Sequence, residues 1–311
     1  MAAVQMLMTA CATSQHRDRE GDNSGQAAAL TVDQEKALTA EALPELKKDY
    51  PAVQDPQLQA YVGYIGNRIV KANGLDGKPY KYTFTMVDVP MVNAFAMPAG
   101  TIFVTAPLVS LAETEAELAG VIGHEIGHVK ARHAAERMAA AERDKSNTKW
   151  WGIGGGVLGA AAGIGVGKLV CPPSDDDCVK KAAVLGAAAG VGGGLLIQKY
   201  KFMANSREDE MEADRIGFKA SVAAGYSPQH VGDFYSKLQK MDEKAKAGGG
   251  GGVMNSINDA LSTHPPSKER VAQMSQLVGS AKVPTNAITS TRNFEVARRR
   301  VEKLTAAKPK A

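Results

Sequence analysis

Two histidines and a glutamate in the string HEIGH, His124 to His128, have the types and spacing that zinc chemistry requires. Histidines four residues apart lie on one face of a helix, so both imidazoles can reach one ion. Glu125 lies about 100° further round the helix, where a general base can take a proton from zinc-bound water. The string alone is only moderately specific, because it arises by chance in roughly one chain in a hundred of this length. Small or apolar neighbours argue against a solvated helix face: Ile122, Gly123, Ile126 and Gly127.

A catalytic zinc ion needs a third protein ligand and an open fourth position. A metzincin has a glycine three residues and a histidine six residues after its second histidine. Those positions hold Ala131 and Ala134, which excludes that subclass. His133, five residues after His128, does not fit the same geometry. The alternative is a carboxylate from a second helix.

Candidate carboxylates occur in the segment SREDEMEAD, residues 206–214. Glu210 and Asp214 lie one turn apart on one helix face. One can therefore bind zinc while the other accepts a hydrogen bond from a ligating histidine and determines its tautomer. Glu212 points away from that face, so we expect it to be dispensable for the metal. Taken alone, the segment is typical of an exposed acidic helix face, but HEIGH requires such a partner.

The hydrophobic pattern predicts the elements that must position these residues. Helical spacing extends from Ala27 to Asn73, and a capping box at Thr114 begins one long helix that continues to about Arg143. The other predicted elements are strands at 80–88, 92–96 and 101–105, a turn at 98–100 and a helix at 206–224. The sequence therefore predicts an α+β domain, mostly helical, with a small sheet before the helix that carries HEIGH.

Length and composition are those of an ordinary globular protein, with 311 residues, 44% hydrophobic residues and a net charge of +4. A chain of this length can bury a sizeable core. The basic residues are dispersed except for the run Arg298–Arg300, so we predict no nucleic-acid partner. We expect the zinc-binding domain at residues 27–285 and a basic C-terminal tail at 286–311.

The N-terminal segment contains a candidate lipid anchor. Cys11 follows the string Leu-Met-Thr-Ala, which is similar to the end of a bacterial lipoprotein signal, where the cysteine becomes lipidated. No Lys or Arg precedes the short apolar stretch, so the alternative is a disordered leader with an incidental cysteine. Residues 1–26 are interpreted as a lipoprotein-like leader and a flexible tether.

A glycine- and alanine-rich hairpin is predicted at residues 150–200, between the two ligand helices. Its glycines recur at every fourth position, as in closely packed membrane helices. The second apolar stretch, Ala182–Ile197, has 16 residues, fewer than the ~20 that span a bilayer. Membrane insertion and a hairpin packed on the protein both stay open. Cys171 and Cys178 bracket a polar loop and could form a small disulfide in an oxidising compartment.

Four blocks of the chain resemble, in order, the metallopeptidase family that includes HtpX, the periplasmic BepA-type proteases and the zinc-dependent CAAX prenyl protease. The blocks are VNAFAMPAGTIFVT (92–105), EAELAGVIGHEIGHVKARH (115–133), SREDEMEADRIG (206–217) and STHPPSKER (262–270). The resemblance implies a gluzincin-type fold that binds one zinc ion per chain. It also implies that Glu210 is the third zinc ligand and that Asp214 contacts a ligating histidine, His124.

The resemblance further implies roles for the first and last blocks. In the family an edge strand above the zinc binds the substrate in extended form, which would here involve Asn93, Ala94, Phe95 and Ala96. His264, in the last block, would lie over the active site. There it either fills the open zinc position and holds the enzyme latent, or donates a hydrogen bond to the oxyanion. The remaining interpretation is a surface histidine before a helix.

The function predicted from these features is that of a zinc-dependent endopeptidase of the bacterial cell envelope. We expect it in the periplasm, anchored to a membrane through a lipidated Cys11, through the hairpin, or through both. By resemblance, its substrates are extended or unfolded chains of misfolded or misassembled envelope proteins. The alternative is a membrane-associated chaperone-like or binding protein with a structural or vestigial zinc site. The intact Glu125 argues against it, because a structural site has no use for a general base.

Overall fold

The structure is a computed structural model that describes residues 20–24, 26, 30–137, 205–246 and 260–306. Helices dominate it, and its one small sheet precedes the helix that carries HEIGH. The predicted α+β class is therefore confirmed. The predicted hairpin, the three cysteines and the glycine run at 248–252 lie outside the described residues. Within the described ranges, no helix is both long enough and apolar enough to cross a membrane.

The named elements of the described residues follow one another in a simple order along the chain. They are α1 Val32–Asp49, α2 Pro56–Ala72, β1 Thr83–Val87, β2 Ala94–Ala96, β3 Thr101–Thr105, α3 Ala106–Leu111, α4 Glu115–Lys130, α5 Arg207–Ala223, α6 Pro228–Val231, α7 Asp233–Lys246, α8 Lys268–Ser280 and α9 Arg292–Ala306.

The sheet has the strand order β1-β3-β2, with β1 parallel and β2 antiparallel to β3. Strand β3 has the predicted bounds, whereas β1 and β2 are shorter than predicted. The turn before β3 contains Ala99 at φ 63° and Gly100 at φ 90°. A left-handed turn of this kind reverses the chain tightly, so β2 can return alongside β3 as an edge strand.

Helix α4 forms the centre of the molecule. Its residues are buried from Glu115 to Val129, and it packs against α2, α5 and β2. Glycines bring α4 and α5 unusually close together: a Cβ on Gly127 would lie 2.8 Å from Ala213 O, and one on Gly217 would lie 2.5 Å from His124 N. Any larger residue at these positions would push the helices apart. The close approach lets side chains of α5 reach the histidines of α4.

The prediction of one continuous helix to about Arg143 is wrong. Helix α4 ends at Lys130, and Arg132 adopts the left-handed conformation with φ 53°. Contacts far away in sequence support this break, since the Arg132 guanidinium lies 3.4 Å from the Glu35 carboxylate and donates to the Leu30 carbonyl. A separate helical segment begins at residue 133.

Both ends of the described chain pack on the domain. In the N-terminal segment 20–26, Gly21 N donates to Glu212 Oε1 at 2.8 Å and Asn23 Nδ2 donates to Lys130 O at 2.9 Å. Near the C-terminus, within the stretch expected as a basic tail, α9 buries apolar side chains in the main core: Phe294, Ala297 and Val301.

Candidate metal centre

The imidazoles of α4 converge as their spacing predicts. His124 Nε2 lies 2.9 Å from His128 Nε2, and both side chains are buried. Together with Glu210 and His264 they form a group whose donor atoms all lie within 4.8 Å of one another. Two imidazoles and a carboxylate are a donor set that zinc binds in catalytic sites. The residues therefore fit a zinc ion.

Glu210 reaches this group from α5. Its Oε1 lies 3.2 Å from His128 Nε2 and its Oε2 lies 3.4 Å from His124 Nε2. The local sequence starts α5 at Arg207, because Ser206 forms a capping box with Asp209. The first turn of α5 then directs Glu210 at α4.

Asp214 and Arg270 contact members of the donor group from outside it. Asp214 Oδ1 lies 2.8 Å from His124 Nδ1, which is the placement expected for the group that orients His124. Arg270 contacts Asp214 through two nitrogens at 2.7 Å and Glu210 Oε2 through a third at 2.7 Å. Arg270 was not predicted from the sequence, although it lies in the last block of the resemblance, six residues after His264.

Four of the five acidic residues in the segment 206–214 are buried rather than exposed, which corrects the interpretation of that segment taken alone. Asp209, Glu210, Glu212 and Asp214 are each at most 4% exposed. Glu212 does point away from the donor group, but its Oε2 lies 3.2 Å from His133 Nε2. The sequence does not predict this contact, because His133 on a continuous helix would point elsewhere.

Glu125 lies between the donor group and strand β2. Its side chain is buried, a hydrogen bond from the backbone of Ala96 reaches its carboxylate, and its Oε1 lies 3.5 Å from His264 Nε2. Burial raises the pKa of Glu125, although the positive character of His264 and His124 opposes the rise. A raised pKa suits a group that must accept a proton and then release it.

The electrostatics of the donor group favour binding of a cation. Burial alone would raise the pKa of Glu210, but Arg270 foremost holds it well below its ordinary value. Burial opposes protonation of His124, yet the negative charges of Glu210 and Asp214 raise its pKa to about 9. Burial and the neighbouring His124 lower the pKa of His128. The group thus keeps its carboxylates ionised, and a metal ion would compete with the proton on His124.

The residues expected to bind substrate divide into two pairs. The backbone of Asn93 is engaged with Thr105, which accepts from its N–H at 2.9 Å and donates to its carbonyl at 3.0 Å. Phe95 pairs with Phe103 two residues further along the same ladder. Because bonding alternates along an antiparallel pair, the backbones of Ala94 and Ala96 face the other side of β2.

A cleft lies beside β2, and its lining includes Ala96, Glu125, His128, His264, Glu35 and Arg132. In the part of the chain that the structure describes, β2 pairs only with β3, so its other, outer edge is not paired with a strand. The strand therefore presents backbone groups beside the candidate general base.

His264 lies over the group, as expected from its position in the last block. Its Nδ1 lies 3.2 Å from His124 Nε2 and 3.2 Å from Glu210 Oε1, and its side chain is 13% exposed. The interpretation as a surface histidine is therefore wrong. Residues 260–263 are helical, and His264 N donates to Ala260 O at 2.8 Å.

Comparison with known proteins finds a matching family and several named relatives. Residues 56–278 match Peptidase family M48. The chain is 27% identical to a beta-barrel assembly-enhancing protease of Yersinia pestis over 79% of this chain and 44% of that protein. It is 33% identical to the mitochondrial metalloendopeptidase OMA1 of Arabidopsis thaliana over 70% of this chain and 35% of that protein.

The corresponding protease of Escherichia coli K12 is 26% identical over 78% of this chain and 43% of its own length. The chain thus spans less than half the length of these three relatives. The matched region contains both ligand helices and His264, which are the parts that form the buried donor group. The chain therefore belongs to peptidase family M48.

Proposed function

We propose that the protein is a zinc-dependent endopeptidase of the bacterial envelope, with zinc held by His124, His128 and Glu210. The observation that carries the proposal is the buried donor group with Glu125 directly beside it. The alternative, a binding protein with a structural or vestigial zinc site, does not account for a buried carboxylate between the donor group and an edge strand.

A bound zinc ion would supply the Lewis acid that activates water and polarises a peptide carbonyl. Glu125 acts as the general base and then delivers the proton to the leaving amine. Ala96 N–H holds the Glu125 carboxylate, and Asp214 holds the ring of His124 through Nδ1. Arg270 keeps Glu210 and Asp214 ionised and in place.

Substrate binding is assigned to strand β2. An extended peptide would add as a further strand on its outer edge, bonded to the backbone of Ala94 and to the carbonyl of Ala96. Asn93 and Phe95 support this edge from within, because their backbones pair with β3 and Phe95 stacks on Phe103 at 5.1 Å between ring centroids. Backbone recognition suits unfolded chains of varied sequence.

The proposal also includes the location of the protein in the envelope and the class of its substrates. The printed name of the Yersinia and Escherichia relatives refers to assembly of β-barrels, and this supports misfolded or misassembled envelope proteins as substrates. Cys11 and the segment at 150–200 would provide lipid or membrane attachment, and the pair Cys171–Cys178 a disulfide. These three features lie outside the described residues.

His264 is proposed to hold the enzyme latent. Its Nδ1 belongs to the donor group, which supports occupation of the fourth metal position rather than donation to a distant oxyanion. Movement of the chain before His264 would then open that position to water. The alternative role as oxyanion donor requires the ring to remain near the metal during the reaction.

The decisive experiment measures zinc and proteolysis on the same preparation. Purified protein is expected to hold about one zinc ion per chain and to cleave an unfolded substrate such as casein. A chelator should abolish cleavage, and added zinc should restore it. Stoichiometric zinc without cleavage in both the wild type and the His264→Ala variant would refute the endopeptidase proposal and favour the binding-protein alternative.

A further inference from the structure

The hydrogen bonds of one imidazole ligand extend well beyond the metal centre. His128 Nδ1 lies 2.8 Å from His133 Nδ1, and His133 Nε2 lies 3.2 Å from Glu212 Oε2. The other carboxylate oxygen, Glu212 Oε1, accepts from Gly21 N at 2.8 Å. The side chains of His133 and Glu212 are 0% exposed. A buried row of polar groups therefore connects the metal centre to the N-terminal segment 20–26.

We propose that His133 is a positioning residue that orients His128 toward the metal, and that Glu212 holds His133 in turn. The inference rests on the proposed zinc site. If His128 binds metal through Nε2, its proton must be on Nδ1, which then donates to His133 Nδ1. The proton of His133 is consequently on Nε2 and donates to Glu212. When all the hydrogen bonds point from His128 toward Glu212, every ring nitrogen of His128 and His133 has a partner.

The two imidazole ligands are thus held in different ways. His124 contacts the carboxylate of Asp214 directly at 2.8 Å, whereas His128 contacts the imidazole of His133, which in turn contacts the carboxylate of Glu212. Consecutive hydrogen bonds polarise one another in a buried environment, so Glu212 strengthens the hydrogen bond between the two rings. The carboxylate also contributes negative charge toward the metal without occupying a ligand position.

The break after α4 is what makes this contact possible. On a continuous helix, five residues correspond to about 500°, which would place His133 about 140° away from His128. The left-handed conformation of Arg132, held by Glu35 and Leu30, turns the chain so that His133 faces back to His128. The break in the helix at Arg132 therefore places a buried histidine, His133, beside the proposed metal ligand His128.

A purely structural role would be to fill the space between α4 and α5, so the test must measure the metal. Replacing both residues, His133→Leu with Glu212→Leu, removes the buried pair together, so that neither of the two is left without the other. We expect this double variant to bind zinc about 10- to 100-fold more weakly than the wild type. Ser221→Ala is the matched control, because Ser221 Oγ donates to Ala119 O at 2.9 Å between the same helices, away from the donor group.

If the double leucine variant does not fold, a single replacement of Glu212 provides a second test. Glu212→Gln keeps the side-chain volume, but its amide NH₂ must face one of two donors, His133 Nε2–H or Gly21 N–H. One hydrogen bond of the row is then lost, and we expect zinc affinity to fall about 10-fold. The absorption bands of the cobalt-substituted protein should also change, because they report on ligand geometry and not on overall stability.

The measurement is competition for zinc against a chromophoric chelator, together with the cobalt spectrum. Wild-type affinity and spectrum in either the double leucine variant or Glu212→Gln would overturn the proposal. An equal loss of affinity in Ser221→Ala would also overturn it, because affinity would then follow helix packing alone. A wild-type protein that binds neither zinc nor cobalt would instead overturn the proposed metal site.

Discussion

Replacement of Glu210 by alanine tests the carboxylate ligand directly. Its oxygens lie 3.2 Å from His128 Nε2 and 3.4 Å from His124 Nε2, and one of them lies 2.7 Å from Arg270 Nη1. Glu208→Ala is the matched control, because Glu208 lies in the same first turn of α5 but is exposed. Glu212, which the sequence indicates as dispensable, is unsuitable as a control because it is buried against His133.

The expected loss of metal affinity follows from the number of donors. Zinc binding to four-ligand sites is worth about 10–16 kcal/mol, or about 2.5–4 kcal/mol per ligand. Loss of Glu210 should therefore weaken zinc binding about 100- to 1000-fold. His264 remains as a third nitrogen donor, 3.2 Å from His124 Nε2. We therefore expect Glu210→Ala to keep a weak site and Glu210→Ala/His264→Ala to lose a further similar factor.

The same replacement should lower stability only moderately. Breaking a buried ion pair costs about 3–5 kcal/mol. Arg270 keeps its two 2.7 Å contacts with Asp214, so we expect the lower end of that range. For a domain of this size, about 3 kcal/mol corresponds to a fall in Tm of about 6–12 °C.

The assay is zinc content after dialysis, chelator competition and thermal melting by circular dichroism. Equal zinc content in Glu210→Ala and Glu208→Ala would refute the choice of Glu210 as the ligand. Tight binding of about one zinc ion per chain in Glu210→Ala/His264→Ala would refute the site itself.

Three further predictions concern catalysis, control and compartment. Glu125→Gln keeps the side-chain size and an acceptor for Ala96 N–H, so proteolysis should fall about 100- to 10,000-fold while zinc content stays unchanged; unchanged proteolysis would contradict the mechanism. His264→Ala should raise basal proteolysis if the ring blocks the metal, whereas a fall would indicate an oxyanion donor and no change would contradict both roles. In protein isolated from its own compartment, thiol titration should find Cys171 and Cys178 unreactive, and two free thiols would contradict the envelope location.

Several elements of the fold follow from local sequence. Thr114 Oγ1 accepts from Glu117 N at the start of α4, and Ser206 caps α5 in the same way. Helix α5 ends before Gly225, which adopts φ 91° as the predicted helix stop. These signals are readable because the residues that form each contact are at most a few positions apart.

Other features depend on partners that are distant in sequence. The break in the helix at Arg132 depends on Glu35, which is 97 residues away, so no local sequence pattern predicts it. The burial of Glu212 depends on His133 and on Gly21, 191 residues before it. The burial of Glu212 is the opposite of the exposure that composition alone indicates for an acidic helix face.

By itself the sequence determined the chemistry of the metal centre: a helix with ligand spacing, a base beside it and a second helix with carboxylates one turn apart. Helical periodicity alone sets those relations, because they hold within one element. Only the tertiary structure decided that α4 and α5 meet through glycines, that Arg270 bridges the acids and that His133 turns back to His128. Those contacts join separate elements, and their geometry depends on how the whole core packs.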